Sequence, residues 1–77
     1  MKFDDELHRS LRYLEENQPY GCTEAIMLAH GFRPQTVTDL ITAGLAITST
    51  ESMLAGDRTI TVTRVRITGA GLWVLAH

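Results

Sequence analysis

Phe3, Leu7, Leu11 and Leu14 recur at three- and four-residue intervals through KFDDELHRSLRYLEEN, which lines one face of a helix. Asp4, Asp5 and Glu6 fall in its first turn, where acids complement the helix dipole, and Pro19 and Gly21 stop it. The first helix is expected over about residues 3–17. A second starts behind Thr23, whose hydroxyl suits an N-cap, with Glu24 at the first helical position. AIMLA is apolar nearly all round, as befits a short helix lying between other elements, and Gly31 ends that helix at about residue 30. Pro34 fits the first turn of a third helix. Its inward stripe is Val37, Leu40 and Ile41, its outward face Gln35, Thr38, Asp39 and Thr42, and Gly44 its natural stop.

Beyond Gly44 the pattern changes. LAITSTES and RTITVTRVRIT are rich in Thr, Ile and Val, the residues of strands, and AGD between them marks a hairpin turn. Pairing Ile47 with Val65 and Leu45 with Ile67 gathers four apolar side chains on one face. It sets Ala46 opposite Arg66 and Thr48 opposite Arg64 on the other face, and leaves Ala55, Gly56 and Asp57 as a three-residue loop. The final TGAGLWVLAH fits a helix capped by Thr68 that buries Leu72, Leu75 and Ala76. It also fits a strand alternating Leu72, Val74 and Ala76; the short helix is preferred. The expected core joins Phe3, Leu11, Ile26, Val37, Leu40, Ile41, Ile47, Val65 and Ile67. The fold class is therefore α+β: a three-helix bundle with a two-stranded hairpin and a short C-terminal helix, forming a single domain over residues 1–77.

Composition refines this picture. A chain of 77 residues with 44% hydrophobic content suits one small globule, and a chain so short buries only about 60% of its unfolded surface, so a partner subunit would add stability. The formal charge of −2 and pI of about 5.8 argue mildly against a dedicated nucleic-acid binder. The distribution is uneven: Met1–Gly31 carries six acids and three bases, Phe32–His77 three acids and four bases. A single cysteine, Cys22, allows no internal disulfide. With no signal peptide expected at an N-terminus where Phe3 meets Asp4, Asp5 and Glu6, and no apolar run of about 20 residues, a cytoplasmic protein that does not span a membrane is expected.

Chemistry at a site finds little support. His8, His30 and Cys22 lack the paired short spacings of a structural zinc site. His30 suits a helix end and Cys22 a buried place beside a helix start. GAG at 69–71 follows a strand but lacks the third glycine and the βαβ unit of a dinucleotide loop. No nucleophile elbow or oxyanion loop accompanies Cys22. No enzyme activity, metal, cofactor or small-molecule effector is expected.

The order helix, helix, turn, helix, hairpin resembles a winged helix-turn-helix domain. TEAIMLAHGFRPQTVTDLITAGL is similar to that superfamily's helix-turn-helix, with Gly31 at the turn glycine and Val37 and Leu40 at two core positions of the recognition helix. LITAGL resembles the usual close of that helix. GDRTITVTRVRITGAG resembles the wing and the LT-x-x-G lead-in to a last helix, matched by Ile67, Thr68 and Gly71. Met27 stands where the superfamily usually has a small residue. Small phage-like or accessory bacterial regulators are the nearer comparison.

The resemblance implies a DNA-binding transcriptional regulator, with duplex DNA as partner. By position, Arg33, Gln35, Thr36 and Thr38 would face the major groove, and Arg58, Arg64 and Arg66 the phosphates. Gln pairs with adenine, and Arg with guanine or phosphate. Asp39, one turn further on, would repel a close phosphate. The alternative is a winged helix used only for protein association. A homodimer is expected, preferably through the C-terminal segment packed near the first helix with Trp73 turned partly outward, otherwise through Met53, Leu54, Ile60 and Val62 near the hairpin tip; the alternative is a monomer with Trp73 capping its own core.

Overall fold

A computed structural model of the chain describes residues 5–77. In chain order it comprises α1 (Asp5–Glu16), β1 (Cys22–Thr23), α2 (Glu24–Ala29), α3 (Pro34–Thr42), β2 (Ala46–Ala55), β3 (Arg58–Ile67) and α4 (Gly69–Ala76). The class is α+β, with four helices and an antiparallel sheet in the order β1-β3-β2. The sheet thus has a third strand beyond the expected pair: Cys22 faces Val65 and Thr23 faces Arg64.

The helices begin where their caps allow. Thr23 precedes α2 in an extended conformation and its hydroxyl accepts from the Ile26 amide at 3.2 Å. Pro34 opens α3 behind Arg33, and Thr68 caps α4 by accepting from the Gly71 amide at 3.1 Å. The last segment is therefore the helix, not the strand. Two helices close alike. After α2, the amides of Gly31 and Phe32 donate to the carbonyls of Leu28 and Met27. After α3, those of Gly44 and Leu45 donate to Ile41 and Leu40. These paired reverse bonds form a Schellman close, which needs a left-handed residue. Gly31 (φ +94°) and Gly44 (φ +76°) supply it without the steric cost a Cβ would bring. In each close the apolar residue after the glycine packs back toward the helix it ends: Phe32 lies against the core holding Met27, and Leu45 lies in the core with Leu40.

The core joins Leu7, Leu11 and Leu14 of α1 with Cys22, Met27, Val37, Leu40, Leu45, Ala46 and Val65. Several expected members lie elsewhere. Ile26 is 46% exposed, because a six-residue helix has room for one inward position and Met27 takes it. Met27 is fully buried, so the position usually held by a small residue is here filled to make core. Nor is α2 enclosed by other elements, since Leu28 is exposed on its other flank. Ile41 is exposed as well, for the inward stripe of α3 is Thr36, Val37 and Leu40, one position back from the expected one. Ile67 is partly buried against the core, and Phe3 lies outside the described residues.

The hairpin register differs from expectation by one residue. Ala46 pairs with Ile67, Thr48 with Val65 and Ala55 with Arg58, leaving a two-residue turn of Gly56 and Asp57. A glycine at positive φ in the first central position is what a two-residue type II′ turn requires, and Gly56 has φ +70°. Shortening the turn by one residue turns Ile47 over. It now faces Arg66 and is half exposed, while Ala46 enters the core. Within α4, Leu72, Val74 and Leu75 are partly buried and Ala76 is exposed, contrary to its expected burial. The molecule is elongated, 46 × 21 × 20 Å, because the ten-residue strands of the hairpin run past the helices that cover their base.

Candidate nucleic-acid interface

Helix α3 presents its leading end to solvent, and nearly every polar group there has an internal partner. Arg33, the residue before the helix, bonds Glu6 of α1 twice: its amide donates to Oε2 at 3.1 Å and its Nε to Oε1 at 2.9 Å. The Thr36 hydroxyl donates to the same carboxylate. Thr36 is 2% exposed, so it faces α1 rather than a groove, and its expected place at a DNA interface is corrected. The slip of the inward stripe and the Glu6 bond are one fact. Turning Thr36 inward satisfies its hydroxyl and carries Ile41 outward.

The outer face of α3 keeps Gln35 and Thr38 exposed. Gln35 Nε2 donates to Asp39 Oδ1 at 2.8 Å, an i,i+4 pair that occupies one carboxylate oxygen. The Thr38 hydroxyl donates to the Pro34 carbonyl at 3.2 Å. Glu6 titrates below the ordinary carboxylate range, first because the Thr36 hydroxyl bonds its charged form, then through the Arg33 amide and guanidinium.

On the hairpin, Arg58, Arg64 and Arg66 share one face, as the pairings Ala55–Arg58, Ser49–Arg64 and Ile47–Arg66 require. Arg64 is not free: its Nε donates to Glu51 Oε1 at 2.7 Å, and its side chain is only 24% exposed. Arg58 and Arg66 are exposed and make no ion pair among the described residues. The same face carries Met53 opposite Ile60, with Val62 opposite Glu51. Met53 and Ile60 are near 45% exposed, Val62 is half-buried, and Leu54 on the reverse face is 80% exposed.

At the other end, Trp73 of α4 is 62% exposed and stacks on His77 with ring centres 4.2 Å apart. His8, Trp73 and His77 border one open groove. Cys22 is buried in the core, where desolvation pushes its thiol up against a smaller opposing effect of Arg64. His30 caps α2 and packs on Tyr13 at 4.5 Å.

The structure thus brings Arg33, Gln35 and Thr38 together at one helix end and Arg58, Arg64 and Arg66 onto one strand face. Glu6 and Glu51, which hold two of these arginines, went unnoticed as site residues in the sequence. Glu6 lies 27 residues from Arg33 and reads locally as a dipole-stabilising acid of α1. Glu51 could have been found from the correct register, which puts it diagonal to Arg64. No helix among the described residues is long and apolar enough to cross a membrane. Comparison with models of known families, with curated proteins and with solved structures finds no match to this chain.

Proposed function

We propose that the chain is a winged helix-turn-helix domain that binds duplex DNA weakly and acts as a small regulator. In this arrangement α3 is set toward the major groove and the hairpin is the wing, laid on the neighbouring backbone. The observation that carries this proposal is the hairpin extending past the helices with Arg58 and Arg66 exposed on one face and without an ion pair among the described residues. The Schellman-closed turn between α2 and α3, with Gly31 at its centre, supports it as well. Gln35 and Thr38 are the side chains offered to base edges, and Gln35 would exchange Asp39 for adenine.

Few phosphate contacts follow from this inventory. Two free arginines correspond to a log–log salt slope of roughly −2 per domain, steeper if Arg64 also leaves Glu51. Fluorescence anisotropy against random duplex and genomic fragments at low salt tests this directly. Arg58→Ala with Arg66→Ala is expected to flatten the slope. Gln35→Ala is expected to change sequence preference with the slope preserved. No binding to any duplex at low salt overturns the proposal.

A second reading, association with protein alone, is favoured by the Met53–Ile60 pair and Val62 beside the arginines and by Leu54 behind them. For the DNA-binding reading we infer a homodimer, with Trp73 and its end of α4 as the preferred contact, because a hairpin engaged by a partner is not free for DNA. The proposal includes no cofactor and no catalysed reaction.

A further inference from the structure

Among the acids of α1, Glu6 reaches across to α3 and collects three donors from its leading end: the Arg33 amide, the Arg33 guanidinium and the Thr36 hydroxyl. Its carboxylate is sheltered, with 19% of the side chain exposed, while the Arg33 side chain lying over it is 64% exposed. We propose that Glu6 is an internal competitor of DNA phosphate, holding Arg33 in the free domain and releasing its side chain when a phosphate approaches the leading end of α3.

This inference rests on the DNA reading above and adds to it the residue that limits affinity. Carboxylate and phosphate oxygens bid for the same guanidinium hydrogens. An ion pair whose arginine is mostly in water holds weakly, so exchange is accessible. The two donors that are not on the exposed guanidinium, the Arg33 amide and the buried Thr36 hydroxyl, keep Glu6 in place while the Arg33 side chain turns away. The carboxylate then remains near the DNA as an uncompensated negative charge. Arg33 therefore contributes less than a free arginine would, and much of the leading end's attraction is spent internally. The depressed protonation of Glu6 agrees with a carboxylate that stays charged throughout.

Glu6→Gln tests the idea, since the amide oxygen still accepts from Thr36 and the Arg33 amide but no longer binds the guanidinium as an ion. Anisotropy titrations on random duplex across a salt series are expected to show about tenfold tighter binding at about 50 mM salt and a slope steeper by about one. Asp5→Asn removes the same charge from an exposed neighbour that has no bond to Arg33, so it is expected to give a clearly smaller gain and an unchanged slope. Adding Arg33→Ala to Glu6→Gln is expected to abolish the gain. A second measurement needs no variant: the side-chain Nε resonance of Arg33 in the unaltered protein is expected to shift as duplex is added.

Equal gains from Glu6→Gln and Asp5→Asn, or an Arg33 resonance unmoved while the protein binds, overturn the competitor and leave DNA binding standing. Failure of both the wild type and Glu6→Gln to bind any duplex overturns the DNA reading and the competitor together.

Discussion

Leu40 is fully buried, and its carbonyl accepts the Leu45 amide at 2.9 Å, so one residue both fills the core and closes its helix. Leu40→Ala is expected to lower stability in denaturant melts by roughly 2–5 kcal/mol, the range for removing a buried leucine. Leu7, Leu11, Leu14, Val37 and Leu40 were legible as inward positions because each lies on a stripe long enough to define a face. Ile26 and Ile41 were not, because hydrophobicity alone favours burying them, while Met27 and a threonine bonded to a distant acid decided which way each helix turned. Glu6 carries a second residue-scale prediction. Its folded carboxyl titrates below the ordinary range. The unfolded chain therefore takes up this proton at higher pH than the folded one. The resulting stability is complete above the ordinary carboxylate range and disappears as pH falls through the lower folded value. Urea melts between about pH 6 and about pH 3 are expected to show this loss in the wild type and a smaller one in Glu6→Gln.

At the level of elements, boundaries followed from their chemistry. Thr23, Pro34 and Thr68 marked three helix starts, and Gly31 and Gly44 two stops, since each cap or close uses a side chain or a backbone freedom visible in the residue itself. The hairpin was legible as a hairpin but not in register. A three-residue and a two-residue turn differ only in whether Ala55 belongs to the strand, and its small apolar side chain does not decide that. Strand β1 escaped notice because two residues define no pattern; it forms where Gly21 brings the chain against Val65. Thr68 joins several of these elements. Its hydroxyl donates to the Gly44 carbonyl at 2.7 Å and accepts from Gly71, while its amide donates to Leu45. Thr68→Ala is expected to cost about 1–2 kcal/mol in thermal or urea melts, and Thr68→Ser to recover most of it. Gly71 is tied to the same joint. A Cβ there would meet the Leu45 carbonyl and lie 2.6 Å from Ile67 Cγ1, which is the packing reason for a glycine at that place.

For the molecule as a whole, the candidate site was legible as a set of residue types but not as a charge balance. Arg33, Arg58, Arg64 and Arg66 stood out in a slightly basic half, yet two of the four are held by acids whose proximity is a tertiary fact. A small core also leaves apolar side chains at both ends of a long particle, Trp73 near one and Leu54 near the other. Sedimentation at tens of micromolar separates these surfaces. A wild-type dimer that becomes monomeric in Trp73→Ala is expected. Persistence of the dimer in Trp73→Ala and its loss in Leu54→Asp would place the contact on the hairpin and weaken the claim of that hairpin on DNA.

The strand order has a kinetic consequence. β3 lies between two neighbours at Arg64 and Val65, whereas among the described residues the outer side of β2 has no strand partner. Every second amide of β2 therefore points to solvent, and these should trade hydrogen for deuterium within seconds to minutes at neutral pH. The alternate β2 amides, tied to β3, should follow the opening of the hairpin, and those at the base of β3 should wait for global unfolding. A time course of backbone amide exchange would record an alternating trace along β2 and along β3 from Arg58 to Thr63, with unbroken protection in β3 only where β1 joins it at Arg64 and Val65.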